Sequence, residues 1–311
     1  FKVPIKQGIL KDFFNRKYRY IKAIDNISFS IKKGEIVGYI GPNGAGKSTT
    51  IKILSGILHP DSGKVVIDKK VPYEERIKYV KEIGVVFGQR SQLWWDVPAI
   101  DSFNLLKEIY KLDDNVFKET LNELIEILSL KDIIKIPVRQ LSLGSRMKLE
   151  IAASLIHKPK ILFLDEPTIG LDAISKKDVR EFIKKINKKN NITIILTTHD
   201  MNDIEALAKR IILIGKGKKL YDGTLNELKK DYGYIRTISV KTKDKINIKK
   251  NYIVSQKKND DTIEFKIDTR KIELNKFINN LTNNISIIDI EIDDNNMDDI
   301  VVKLYEDFNI W

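Results

Sequence analysis

The chain has 311 residues, enough for about two domains, with 42% hydrophobic and 32% charged residues, 8 Pro, 16 Gly and no Cys. This excludes a disordered or collagen-like chain, and the missing thiol excludes a disulfide scaffold, a thiolate zinc site, an iron–sulfur cluster and a cysteine nucleophile. The net charge is +12 and uneven: Tyr221–Trp311 holds 15 basic and 17 acidic residues, so the excess lies in the first 220, where it suits nucleotide phosphate, nucleic acid or an anionic membrane surface.

Only His59, His157 and His199 supply imidazoles, so no multi-histidine metal site is expected. The longest apolar runs, Ile161–Leu164 and Ile211–Ile214, fall far short of the ~18 residues of a membrane span. No charged-then-apolar leader is visible, and a cytosolic chain is expected.

In chain order, Ala23–Ile31 and Ile36–Ile40 read as strands around the turn at Lys33-Gly34. A glycine-rich loop, Gly41–Lys47, precedes a helix over Ser48–Ile57. Pro60-Asp61-Ser62-Gly63 is a turn, and Lys64–Asp68 and Ile83–Phe87 are further strand candidates. Asp101–Tyr110 and Val116–Leu128 carry apolar residues at three- and four-residue spacing, and Leu149–Ile156 extends a helix that Pro159 stops. Ile161–Leu164 and Ile192–Leu196 are the short apolar runs of buried parallel strands, with Val179–Ile186 as the crossover helix between them. The alternation predicts a mostly parallel α/β sheet with an all-helical insert at about 90–158. Beyond Gly223, strands at Ile235–Val240, Thr262–Asp268 and Ile285–Ile292 and helices at Lys271–Leu281 and Met297–Tyr305 predict a small α+β domain.

Gly41, Pro42, Asn43, Gly44, Ala45, Gly46, Lys47 and Ser48 fit the pattern G-x-x-x-x-G-K-[ST], after a predicted strand and at the start of a predicted helix that continues through Thr49. The glycines let consecutive N–H groups turn inward around phosphate oxygens, and the helix adds its positive end. Lys47 brings a full charge to the β and γ phosphates, and Ser48 a hydroxyl to Mg²⁺. A nucleoside triphosphate is the expected ligand. Downstream, the apolar strand Ile161–Leu164 delivers Asp165 and Glu166 at its end. Asp165 is suited to hold Mg²⁺, and Glu166, facing the opposite way, to polarise an attacking water.

Further motifs fall in family order. Leu141-Ser142-Leu143-Gly144-Ser145, with Ser142 23 residues before Asp165, resembles the signature motif of ATP-binding cassette (ABC) ATPases. Gln89 follows its strand as the family's Q-loop glutamine does, Gly170-Leu171-Asp172 looks like the D-loop, and His199 looks like the switch histidine. The resemblance covers residues 1 to about 225. It implies a phosphate-loop NTPase cassette over residues 1–223, with a mostly parallel sheet, an antiparallel β subdomain and a helical subdomain at about 90–158. An accessory α+β domain at 224–311 follows.

The resemblance implies ATP hydrolysis with Mg²⁺. It further implies a head-to-tail dimer in which each ATP lies between one chain's phosphate loop and the other chain's signature motif at Ser142 and Gly144. Gln89 would then sense Mg²⁺ and the γ-phosphate, His199 would bridge Glu166 and the transferred group, and Asp172 would reach across the interface. Tyr18, 29 residues before Lys47, is the candidate to stack on adenine, with Tyr20 second. Leu143 and Ser145 depart from the usual signature letters, Gly and Gln.

The stretch Gly84–Pro98 contains the adjacent Trp94 and Trp95, which cannot share one face of a helix or strand. Either one lies in the core and the other against a partner, or both are buried. Phe-Gly-Gln-Arg-Ser-Gln-Leu-Trp-Trp-Asp resembles the ABC-2 branch, mostly exporters. The implied protein is an ATPase subunit on the cytoplasmic face of the membrane, dimerising with a second ABC ATPase and driving a separate ABC-2-type permease. The alternative is a soluble ABC ATPase acting on nucleic acid or a ribosome. No nucleic acid is expected in the first reading.

Overall fold

The computed structural model describes residues 2–4, 18–88, 90–244, 248, 250–293 and 297–310. They form two compact units, Phe1–Asp222 and Gly223–Trp311.

In the first unit, β1 (Lys2–Pro4) and β2 (Tyr18–Tyr20) pair antiparallel. The main sheet contains β3 (Ile36–Ile40), β4 (Ile83–Phe87), β5 (Ile161–Asp165), β6 (Thr193–Thr197), β7 (Arg210–Gly215) and β8 (Lys218–Thr224), in the order β4-β5-β6-β3-β7-β8. Strands β4, β5, β6, β3 and β7 run parallel. Consequently Gly41, Gly88, Asp165 and Thr197, at or just after the ends of β3, β4, β5 and β6, share one edge of the sheet. Chain order reverses around β3, and the C-terminal edge at such a switch is where open α/β sheets bind ligands. Strand β8 returns from β7 through Lys216-Gly217, whose φ values of 47° and 77° are the left-handed pair that suits a two-residue hairpin.

Burial explains why these apolar runs become strands rather than helices. All five residues of β6 and the first four of β5 are buried, as in a sheet covered on both faces. One side packs Val37, Tyr39, Phe163, Ile195, Ile212 and Ile214 against Ile51 and Leu54 of α1 (Lys47–Leu54). Short α2 (Arg76–Tyr79) leads into β4. The insert consists of α3 (Ala99–Tyr110), α4 (Asp114–Leu128) and α5 (Leu143–Leu155). Helix α4 starts where Asp113 accepts from the N–H groups of Asn115 and Val116. It buries Phe117, Leu121, Leu124 and Leu128, and ends at Ser129 in the left-handed region. The crossover between β5 and β6 is α6 (Ala173–Asn190), and α7 (Met201–Leu207) leads from β6 to β7.

Two expected strands differ. Ala23–Ile31 and Lys64–Asp68 join no strand ladder, apart from an isolated bridge between Ile67 and Lys70, and Asn26 and Asp68 turn through the left-handed region. Their alternation still has a cause, because Ile27, Phe29, Ile31, Val65 and Ile67 pack against the core. The side chains follow period two, while the backbone lacks a continuous partner strand.

The second unit opens with α8 (Leu225–Tyr232), started by a capping box between Thr224 and Glu227. A four-stranded sheet follows, made of β9 (Ile235–Lys241), β10 (Ile253–Asn259), β11 (Thr262–Asp268) and β12 (Asp289–Asp293), in the order β10-β11-β9-β12 and antiparallel throughout. Phe277 and Leu281 of α9 (Leu274–Thr282) cover Ile238, Val240, Ile263, Phe265 and Ile267. Helix α10 (Met297–Asp307) completes the unit. Only the second half of the expected strand Ile285–Ile292 is a strand, because Ile285 is consumed by the core below the sheet. Among the described residues, no helix is long and apolar enough to cross a membrane.

A half-buried histidine is expected to give the first unit a pH dependence. The His157 ring stacks on Tyr110 with centroids 3.9 Å apart. Its Nε2 donates to the Ile83 carbonyl at 2.8 Å, while Nδ1 is buried with no partner. Burial pushes the His157 pKa below its ordinary 6.5, and the Ile83 carbonyl opposes this. A depressed folded-state value means that the unfolded chain takes up the proton first. The stability contributed by the neutral ring is therefore complete above 6.5 and lost as pH falls toward the folded-state value. His157→Gln removes the titration. Its denaturant midpoint should fall less than the wild type's between about pH 7 and about pH 5; equal falls would show that His157 contributes nothing to acid sensitivity.

Candidate active site

The phosphate loop is a glycine turn held from behind. Gly46 adopts φ 107° at the start of α1, and a Cβ there would lie 2.5 Å from the Ala23 carbonyl oxygen. Only glycine fits both the angle and the space. The Gly217 N–H donates to the Ala45 carbonyl at 3.2 Å, and the Asp25 N–H to the Gly217 carbonyl at 2.7 Å, tying the loop to the β7–β8 hairpin. Lys47, Ser48 and Thr49, which open α1 and line the cleft, belong to the turn whose N–H groups have no intrahelical partner. Lys47, 7% exposed, donates from Nζ to the carbonyls of Gly41 (2.7 Å) and Pro42 (3.2 Å). Burial pushes the Lys47 pKa down, and the nearby Glu166 and Asp165 carboxylates push it back up. Asn43, Gly44, Gly46, Lys47, Ser48 and Thr49 line a cleft of about 200 Å³ with Ala23 and Glu166.

A larger adjoining cleft, about 340 Å³, is bordered by Ser48, Asp165, Glu166, Phe87, Gly88 and Arg90 among others. Thr197 on β6 donates its hydroxyl to Asp165 Oδ1 at 2.5 Å, fixing the carboxylate at the strand end. Glu166 leaves the strand at φ 54°, a costly angle for a residue with a side chain, and its N–H is held by the Thr197 carbonyl at 2.9 Å. The turn separates the two carboxylates. Glu166 Oε2 lies 3.6 Å from His199 Nδ1, with the imidazole mostly exposed.

The loop carrying His199 is braced below. Asp203, fully buried, accepts from the hydroxyls of Thr168 and Thr198 and from the Arg180 guanidinium. Asp200, also the N-cap of α7, takes Lys176 Nζ at 2.6 Å. The strap runs from the segment after Glu166, through α6, to the residues beside His199.

Ser142 caps α5 by accepting from the Ser145 N–H at 3.2 Å, and its own hydroxyl donates to Ser145 Oγ at 3.0 Å. The unusual Ser145 thus helps to close the cap. Gly144 lies on Ser175 of α6, and a Cβ there would lie 2.7 Å from the Ser175 Cβ. Ser175 is bound in turn by Asp172, the N-cap of α6, which accepts its N–H and its hydroxyl. Those donors hold the Asp172 carboxyl below the usual carboxylate range, the hydroxyl first.

Residues 24–169 match the ABC transporter family. The chain is 34% identical over 215 residues to the ABC transporter ATP-binding protein NatA of Bacillus subtilis, an overlap of 69% of this chain and 87% of that protein. The chain belongs to the ABC transporter ATP-binding proteins. The bacitracin transport ATP-binding protein BcrA of Bacillus licheniformis is 33% identical over 219 residues, 69% of each chain. A solved ABC cassette, a dimer in a post-hydrolysis state bound to ADP and Pi, superposes with a TM-score of 0.59 at 27% identity, covering 72% of this chain and 96% of that one. Membership makes this ABC protein an ATP-binding ATPase subunit of a transporter.

Within the ABC cassette, the structure brings Lys47, Ser48, Asp165 and Glu166 to adjoining clefts, with His199 beside Glu166. Ser142, Gly144 and Asp172 group separately around the starts of α5 and α6. Gln89 lies outside the described residues. Tyr18 and Tyr20 sit exposed on β2, which precedes the cleft residue Ala23, and neither lines the clefts. Trp94 and Trp95 differ from expectation, since both are about half exposed (54% and 48%) and Leu93 fills the core instead. Sequence reasoning missed Thr197, although a polar residue closing an apolar strand two positions before His199 was a usable signal. It also missed the Thr168–Asp203–Arg180 network, which no local spacing announces.

Proposed function

We propose that this ABC ATPase hydrolyses ATP at the edge where the phosphate loop meets Asp165 and Glu166, and that the cycle drives export through a separate ABC-2-type permease. The carrying observation is the cleft shared by Ser48, Asp165 and Glu166, beside a buried Lys47. Lys47 and the loop N–H groups bind the β and γ phosphates. Mg²⁺ is ordinarily held by one or two protein oxygens together with substrate phosphates. Ser48 and the Thr197-fixed Asp165 fit that donor set, with Gln89 as a further ligand. The metal, when bound, neutralises phosphate charge. Glu166 accepts the proton of the attacking water, and His199 steadies Glu166 and the transferred phosphoryl group. Tyr18 stacks on adenine.

Two chains would close head to tail on two ATPs. The N-terminus of α5 supports this: Ser142 is exposed there, and the positive end of the helix suits the γ-phosphate of the partner's ATP. Asp172 then faces across the same seam. The solved relative named as a dimer supports the reading too. Trp94 and Trp95, exposed beside the cassette's helical insert, are suited to receive a partner's apolar segment. Export is favoured because relatives include proteins named for bacitracin transport and daunorubicin resistance. The protein would therefore sit on the cytoplasmic face of the membrane.

Native membranes solubilised in mild detergent, with this chain captured by a tag, test the reading. A stoichiometric multi-span protein is expected in the eluate. Recovery with ribosomal or nucleic-acid components and no membrane protein would overturn it.

A further inference from the structure

We propose that Glu150 is a positioning residue for ATP hydrolysis, holding Ser91 and Gln92 of the segment after β4 to α5, just beyond Gly88 and Arg90, which border the Asp165–Glu166 cleft. The segment is anchored at two ends. At the first, the Gly88 N–H donates to the Asp165 carbonyl at 2.8 Å, and Gly88 and Arg90 border the larger cleft. At the second, the Ser91 hydroxyl donates to Glu150 Oε1, the Gln92 N–H to Oε2 at 3.1 Å, and Gln92 Nε2 to the Glu150 carbonyl at 2.9 Å. Ser91 Oγ also accepts the Leu93 N–H at 3.1 Å, which closes the turn.

Glu150 is 4% exposed, in an α5 stretch otherwise buried and apolar (Leu149, Ile151, Ala152). A carboxylate in such a place is costly unless its oxygens are hydrogen-bonded. Here both are, and both donors come from the segment beside the cleft. A filler of the space between helices would need no charge. Glu150 lies eight residues beyond the Ser142 cap, about 12 Å along the helix, so the residues this clamp holds and the Ser142 cap are carried by the same helix. A second tie runs parallel to it, with the Arg146 guanidinium 5.3 Å from the Trp95 ring centre and the Arg139 N–H donating to the Trp95 carbonyl at 3.0 Å.

This inference rests on the reading of Asp165 and Glu166 as the hydrolytic cleft. The test is steady-state phosphate release by the full chain at varied ATP, with thermal melting as a fold control. Glu150→Gln preserves shape but cannot accept from both donors. It is expected to lower kcat by at least about tenfold with KM changed by less than about twofold. Ser91→Ala removes only a loop hydroxyl and is expected to lower kcat about threefold in the wild type, with no further loss in Glu150→Gln, the signature of one shared interaction. A kcat near wild type in folded Glu150→Gln, or independent losses that multiply, would overturn the clamp. Should Glu150→Gln fail to fold, Ser91→Ala decides alone, an unchanged kcat refuting the proposal. Glu166→Gln in the same assay separates the two ideas: full turnover there means that the cleft was misread, whereas a dead Glu166→Gln beside a normal Glu150→Gln condemns only the clamp.

Discussion

Glu166→Gln should bind ATP as the wild type does and release phosphate roughly 10²–10⁴-fold more slowly, the loss typical of a missing general base. The substitution changes one atom and little else. The left-handed turn at Glu166 and its N–H bond to the Thr197 carbonyl are backbone properties that glutamine can inherit, and the isosteric side chain still reaches His199. What disappears is the ability to take a proton. Because nothing else is removed, nucleotide should stay bound longer, and the ATP-loaded dimer should accumulate on size-exclusion chromatography. Turnover within about twofold of wild type would remove Glu166 from the base role and direct attention to His199.

The elements that carry this chemistry were legible for a physical reason. Buried parallel strands have no polar face, so Ile161–Leu164 and Ile192–Leu196 stand out as short, largely apolar runs, and the residues ending them fall on one sheet edge. The phosphate loop was legible because its backbone angles and close approaches exclude side chains. The network under His199 was not, since its members Thr168, Arg180, and Thr198 with Asp203 come from three separate stretches and meet only in the folded chain. Trp94 and Trp95 show the opposite failure. Hydrophobicity alone argued for burying one of them, yet Leu93 and the Trp94 N–H, held by Ser102, anchor the turn and leave both indoles outside. In the second unit, β10 was missed because Ser255, Gln256, Lys257, Lys258 and Asn259 make its sequence polar; as an edge strand, it is secured by pairing with β11 rather than by its own apolar face.

Lys47→Ala should abolish tight nucleotide binding rather than slow the chemistry. The ammonium is buried in a loop of carbonyl and N–H groups, and burial has already lowered its pKa, so water contributes little to its stabilisation. A buried charge in that position gains most when an anion arrives. Losing one partner of a buried, hydrogen-bonded charge pair costs about 2–5 kcal/mol, which weakens Kd by roughly thirtyfold to several thousandfold. The loop itself should survive, because Gly46 and the Gly217–Ala45 bond shape it independently of the lysine. Equilibrium titration with a fluorescent ATP analogue, alongside thermal melting, measures this directly. A folded Lys47→Ala chain that binds within about threefold of wild type would mean that the loop N–H groups alone hold the phosphates, and that the buried charge serves only to pin Gly41 and Pro42.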